Sequence, residues 1–212
     1  MIRKYEEEND VHFDIKWIEV KKHNNPDELA EEIQKNIDLI TDADEILVMY
    51  GLCGNALLKI KPRKLPLVLI RAHDCCSILM GSKERFLEHF GHRLSQRWSC
   101  ESYELEEMSN YIEKSLEFQK MVTEYGYDNA HYVYSLLYPK NEGKTVYISF
   151  DSDNDHKKIL ELSDNQVEII KGDSSLIERL LSDKVIDEVL KLYPGESIEP
   201  IYDHIEVISK TI

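Results

Sequence analysis

Leu65-Pro-Leu-Val-Leu-Ile70 is the longest strongly apolar run of the chain, and a similar run, Glu45-Ile-Leu-Val-Met-Tyr50, precedes it. Both have the length of a β-strand. Their apolar residues are continuous rather than alternating with polar ones, which is typical of strands buried on both faces, as in a parallel sheet covered by helices. The two runs therefore predict two buried strands of such a sheet.

Helix and strand patterns alternate on both sides of these two runs. A helix is predicted to open at Pro26, with an apolar stripe of Leu29, Ile33, Ile37 and Ile40. This order predicts an α/β fold, a layered and mostly parallel sheet flanked by helices. Further strands are predicted at 11–20, 144–150, 166–170 and 205–208. Further helices are predicted at 75–90, at 103–137, at 157–162, from Ser174 onward and in the run before Pro194. The helix at 103–137 is expected to break at Gly126.

The chain length of 212 residues suits a single α/β domain over 1–212. The helices around residues 101–138 are an insertion in that domain, or they join two lobes at about 1–100 and 139–212. The pattern leaves both arrangements open.

The charge balance is strongly acidic, with 41 Asp and Glu against 26 Lys and Arg and a formal net charge of −15. Such a field repels phosphate backbones and anionic lipids, so we expect neither nucleic acid nor a membrane surface as a partner. The N-terminal residues lack the apolar centre of a signal peptide, and four cysteines do not form the framework of a secreted disulfide-rich domain. These features predict a cytoplasmic protein with reduced thiols.

Cysteine, histidine and other polar residues follow both apolar runs directly. They lie in the stretches Tyr50-Gly-Leu-Cys-Gly-Asn-Ala56 and Arg71-Ala-His-Asp-Cys-Cys-Ser77. The carboxyl ends of parallel strands are where ligands bind in open α/β sheets. If the two strands are neighbours in the sheet, the two stretches meet at one rim of it. Gly51 and Gly54 would let the backbone approach a ligand closely, and Asn55 suits a cap or a left-handed turn.

The thiols and the imidazole of these stretches are the ligand types that zinc, iron and iron–sulfur centres use. We predict a transition-metal site made of Cys53, His73, Cys75 and Cys76, with Asp74 orienting His73 or acting as a base. The simpler interpretation is that the cysteines are small buried residues that pack the loops. Packing is the expected role of Cys100, which lies apart from this group.

These stretches, together with Leu79-Met-Gly-Ser-Lys-Glu-Arg85, resemble the signature of the domain of unknown function 1638 family, and the similarity extends from about residue 11 to 200. Members of that family usually begin with an apolar strand that carries a further cysteine, whereas residues 1–10 here are highly charged. The resemblance implies a protein of anaerobic archaea or bacteria, encoded near corrinoid-dependent methyltransferases.

Three functional hypotheses follow. The first is a metal-binding enzyme or accessory factor of anaerobic one-carbon and corrinoid methyl-transfer metabolism. The second is a non-catalytic module that binds a small molecule or a corrinoid protein at the same strand ends. The third is thiol redox chemistry by the adjacent pair Cys75 and Cys76.

Overall fold

The computed structural model describes residues 2–19, 22–23, 25–91, 98–100, 116–137, 145–150, 167–182, 187–201 and 207–211. The chain divides into two compact units. Unit 1 consists of Met1–Leu94 and Gly172–Ile212, and unit 2 consists of Ser95–Lys171. Both units combine strands with helices, so the predicted α/β class is confirmed.

The central sheet of unit 1 contains the two apolar runs. Strand β1 (Ile46–Val48) lies parallel to β2 (Leu67–Ile70), with Ile46 opposite Leu67. Strand β6 (Val189–Leu192) pairs antiparallel with the other edge of β2, so the order is β1-β2-β6. Every residue of β2 is buried, as its continuous apolar sequence predicts.

Both faces of this sheet are covered. Leu67 and Leu69 point to a core that includes Leu29, Ile33 and Ile37 of helix α2 (Pro26–Leu39). Val68 and Ile70 point to the opposite core, where Ile78 of α3 (Cys75–Leu79) packs with the apolar side of α7 (Ser175–Leu181). Because successive side chains of β2 point to opposite faces of the sheet, this strand contributes residues to both hydrophobic layers.

The remaining elements of unit 1 flank these layers. They are α1 (Ile2–Asn9), a short 3₁₀ turn (Ala56–Lys59), α4 (Lys83–Phe90), and an antiparallel pair formed by β7 (Ser197–Pro200) and β8 (Ile208–Thr211). None of the helices in the described part of the chain combines the length and the apolar character that a membrane crossing requires.

Unit 2 contains a parallel sheet in the order β3 (Trp98–Cys100), β4 (Thr145–Ser149) and β5 (Val167–Lys171). Helices α5 (Leu116–Tyr125) and α6 (Tyr127–Leu137) are separated at Gly126, whose φ of +75° ends α5 as predicted. Phe118 is fully buried and meets the rings of Tyr127 and Tyr134 edge to face.

The strand predicted at 11–20 is wrong, because residues 11–19 contain no regular secondary structure and the preceding charged residues form α1. The backbone N–H of Phe13 donates to the buried carboxylate of Glu6 at 2.7 Å, which attaches this segment to α1 instead of to a sheet. The alternating pattern also lacks a consistently buried face, since Trp17 is 78% exposed.

Two helix predictions need correction as well. The run before Pro194 is strand β6, in which buried Leu190 and Leu192 alternate with exposed Lys191. The helix predicted at 75–90 is two helices, because Gly81 has a φ of +82° and Ser82 caps the second of them. The helix predicted at 157–162 and the segment 101–115 lie outside the described residues.

Candidate thiol site at the strand ends of unit 1

The backbones that follow β1 and β2 stay hydrogen-bonded to each other after both strands have ended. The N–H of Leu52 donates to the carbonyl of Ala72 at 2.9 Å, and that of Cys53 donates to the carbonyl of His73 at 3.1 Å. The two stretches therefore meet at one rim of the sheet, as predicted from parallel neighbouring strands.

Two of the predicted site residues are in direct contact there. The Sγ atoms of Cys53 and Cys75 lie 3.4 Å apart, a sulfur–sulfur hydrogen-bond distance, and both residues are free cysteines. Cys53 is buried, whereas Cys75 is partly exposed. The pair is thus a contact between a buried residue and a partly exposed one.

Cys53 begins a left-handed turn. Three consecutive residues, Cys53, Gly54 and Asn55, have φ values of +45°, +68° and +69°. Gly and Asn enter this region at little cost, but an ordinary L-residue loses about 1–2 kcal/mol there. The backbone at Cys53 is therefore strained in the conformation that places its sulfur beside Cys75. The expected left-handed turn at Asn55 is confirmed, while its side chain makes no capping bond to the 3₁₀ turn.

Helix α3 determines which of the two adjacent cysteines reaches Cys53. Asp74 is the N-cap, and its Oδ1 accepts the N–H of Ser77 at 3.0 Å and the hydroxyl of Ser77 at 3.2 Å. Cys75 is consequently the first helical residue, at the rim. Cys76 comes next on the helix and is fully buried. Capping is the role that these contacts give to Asp74, and its part in catalysis stays a prediction.

The thiols of the pair differ in acidity. A hydrogen bond from the Cys53 thiol lowers the pKa of Cys75, and the backbone N–H of Gly51 adds to this effect. The same contact, together with burial, raises the pKa of Cys53, which keeps its proton. Burial also raises the pKa of Asp74, although the hydrogen bonds that its carboxylate accepts from Ser77 and Cys76 act in the opposite direction. Of the two thiols, Cys75 is therefore the one that ionises first.

Tyr50 packs against the same cluster as Cys53 and Cys75 and is a further residue of this site, beyond those predicted from the sequence. Burial raises the pKa of Tyr50 to about 12, and any charge on Cys75 or, to a smaller extent, on Cys53 adds to this effect. The hydroxyl therefore stays protonated beside the two sulfurs. The signal in the sequence was its position as the last residue of the first apolar run, directly before Gly51.

The two glycines predicted to admit a ligand are both packed against the protein itself. A Cβ on Gly51 would lie 2.4–2.6 Å from backbone atoms of Asp74, and a Cβ on Gly54 would lie 2.8 Å from Cγ of Pro26. Gly51 thereby lets the loop after β1 touch the start of α3. The close approach of a ligand to these glycines stays a prediction, and what lies against both of them in the structure is the chain itself.

His73 takes part through its backbone, whose carbonyl accepts the N–H of Cys53, and the Nε2 atom of its ring is shielded from solvent. Across the residues that the structure describes, no group of three or more His, Cys, Asp or Glu side chains is arranged to hold a metal ion. The structure thus brings together two of the four predicted ligands. Cys100 is buried in β3 of unit 2.

Strain at Cys53 leads to a stability prediction. Cys53→Gly is expected to be more stable than Cys53→Ala by about 1 kcal/mol, because only glycine relieves the positive φ. Urea unfolding of the reduced proteins measures the difference. The same two substitutions at Cys100, in a strand, should give the opposite order, since glycine weakens a strand. An alanine variant at 53 as stable as the glycine variant would contradict the strain.

The comparison with known families gives one match. The family model described as "Protein of unknown function (DUF1638)" matches residues 17–181, which include the whole rim just described. No curated protein and no solved structure matches the chain. The match covers more than half of the 212 residues. The chain therefore belongs to the DUF1638 family of proteins of unknown function.

Proposed function

We propose that the rim of unit 1 binds one transition-metal ion through Cys53 and Cys75, and that the protein serves methyl-transfer metabolism as an enzyme or accessory factor. The observation that carries the metal proposal is the 3.4 Å contact between the two Sγ atoms at the joined strand ends. Thiolates are ligands that select zinc, copper(I) and iron centres.

The separation of the two sulfurs fits a shared ion. Two thiolates on a tetrahedral zinc lie about 3.8 Å apart, given zinc–sulfur bonds of about 2.3 Å. The pair at 3.4 Å therefore needs only a small opening to accept an ion between its sulfurs. The rim can hold that spacing because the hydrogen bond from Cys53 to His73 joins the two backbones.

The strained backbone at Cys53 supports a functional role for the pair over loop packing. Residues in costly backbone conformations cluster at active sites and ligand sites, where the surrounding structure holds them. A glycine at position 53 would avoid the cost, but it would remove the sulfur that faces Cys75. The +45° φ is thus accounted for by the thiol that it positions.

Two protein thiolates would leave coordination positions for further ligands. His73 and Cys76, the other two predicted ligands, are near Cys75 in sequence, and their participation stays a prediction. A bound zinc or iron ion would supply Lewis-acid chemistry to a molecule in an open position. Tyr50 would donate a hydrogen bond at the same rim, because its raised pKa keeps the phenol protonated.

Membership of the DUF1638 family supports the metabolic part of the proposal only through the genomic setting that the resemblance implies. The alternative of a non-catalytic module for a small molecule or a corrinoid protein also stays a prediction. Binding of such a partner by protein from which all metal has been removed would favour that alternative.

The proposal is tested by metal analysis of protein purified without oxygen. We expect about one zinc or iron ion per chain, or the same stoichiometry after titration of the reduced apoprotein with either ion. A bound ion should also protect Cys53 and Cys75 from alkylation. The proposal fails if neither ion binds and both thiols alkylate at the same rate with and without metal.

A further inference from the structure

We infer that Cys53 and Cys75 form a reversible intramolecular disulfide by exchange with small-molecule disulfides, with Cys75 reacting first and Cys53 completing the bond. This thiol–disulfide activity goes beyond the proposed metal site and does not require a bound ion. It also assigns the redox partner of Cys75 to a residue 22 positions earlier in the chain.

The positions of the two sulfurs permit the bond. The hydrogen bond from the N–H of Cys53 to the carbonyl of His73 joins the two loops two residues before Cys75. The sulfurs must approach from 3.4 Å to a bond length of about 2.05 Å. A movement of this size lies within side-chain rotation at the rim.

Cys75 is the more exposed residue of the pair, so the first step is assigned to it. In the first step the thiolate of Cys75, a partly exposed residue, attacks one sulfur of the small disulfide RSSR. A bond forms between Cys75 and that sulfur, the S–S bond of RSSR breaks, and RS⁻ leaves. In the second step the enclosed thiol of Cys53 loses its proton to solvent and attacks the Cys75 sulfur, releasing a second RS⁻. The protein loses two electrons, and RSSR becomes two thiols.

The structure favours this pair over the adjacent cysteines 75 and 76. Neighbouring residues on a helix do not face each other, and Cys75 and Cys76 are the first two residues of α3. Cys76 is fully buried, and its carbonyl accepts the N–H of Met80. A bond between adjacent cysteines would have to unwind this turn, whereas the Cys53–Cys75 bond leaves it intact.

Closing the disulfide would consume both sulfurs that the proposed metal site uses. A disulfide between Cys53 and Cys75 and a metal ion bound to the same two sulfurs could then not be present together. This exclusion rests on the proposed function, while the disulfide itself does not, and the experiment below keeps the two separate.

The test uses reduced full-length protein, freed of metal by a chelator and mixed with oxidised glutathione under nitrogen. We expect the wild type to lose the mass of two hydrogens, with peptide mapping that links Cys53 to Cys75, and dithiothreitol to reverse the change. Cys53→Ser should instead accumulate one glutathione on Cys75, because the thiol that completes the bond is missing. Cys75→Ser should react at least about tenfold more slowly than Cys53→Ser.

Cys76→Ser and Cys100→Ser are the matched controls, and both should form the disulfide as the wild type does. Cys53→Gly provides a second variant that tolerates the positive φ if the serine variant folds poorly. The inference is overturned if the wild type keeps a stable glutathione adduct, if mapping links Cys75 to Cys76, or if the folded protein forms no disulfide. Metal content, measured separately on untreated protein, reports only on the proposed function.

Discussion

Cys75→Ser is expected to lower the affinity for zinc or iron by about 100-fold or more. Removing a group that merely orients a ligand typically costs about 10–100-fold in metal affinity, so loss of a ligand should cost at least the upper value. A serine hydroxyl does not ionise at neutral pH and cannot replace the thiolate. Cys53→Ser should have the same effect, because its sulfur lies 3.4 Å from that of Cys75.

Competition with a chromophoric chelator measures both affinities, and metal analysis after gel filtration checks the stoichiometry. Cys100→Ser is the control, since Cys100 lies in a strand of unit 2. Cys76→Ser tests the larger ligand set: retention of metal restricts the site to the described pair, and loss of metal supports Cys76 as a ligand. Full metal content in the double variant of Cys53 and Cys75 would contradict the proposed function.

The location of the site was predictable because it depends on strands that are buried on both faces. A strand with apolar residues on both sides must lie between two layers, and β2 does so, with Leu67 and Leu69 on one face and Val68 and Ile70 on the other. Parallel pairing of the two runs then placed both motifs at one rim. Local sequence is enough to recognise the two strands, and their pairing as neighbours is what brings the motifs together.

The composition of the site was less predictable, because it depends on where a short helix begins. The side chains of Cys75 and Cys76 are equivalent in sequence, and the capping of α3 by Asp74 decides that Cys75 faces Cys53. Tyr50 was missed for a related reason. It is the last residue of an apolar run, and the local pattern does not indicate that its environment includes the sulfurs of Cys53 and Cys75.

The errors in the fold came from segments whose structure depends on contacts outside their own local pattern. Residues 11–19 alternate in the manner of a strand, but the carboxylate of Glu6 binds the N–H of Phe13 and supplies a competing partner for that backbone. Strand β6 was hidden in a helical pattern because its edge position on β2 is a long-range contact. Neither interaction is visible in the local periodicity of the chain.

Gly51→Ala is expected to destabilise unit 1 by about 3 kcal/mol, the upper end of the cost of overpacking. Its Cβ would lie 2.4–2.6 Å from three backbone atoms of Asp74. Backbone atoms cannot rotate away as a side-chain end can, so the loop after β1 must separate from α3. That separation would break the N–H contact from Gly51 to Cys75 and pull the two sulfurs apart.

The variant should therefore lose two properties together. Urea unfolding should show the lower free energy of unfolding, and disulfide formation with oxidised glutathione should slow by about tenfold as the thiol contact opens. Gly195→Ala is the matched control in the same unit. Its φ of +98° makes alanine costly there too, but its Cβ would meet nothing within 4 Å. It should reduce stability without changing the rate of disulfide formation. The reason is that Gly51, unlike Gly195, lies against Asp74 at the start of α3. If Gly51→Ala reacts with glutathione at the wild-type rate, the close contact between Gly51 and Asp74 does not hold the thiol pair together.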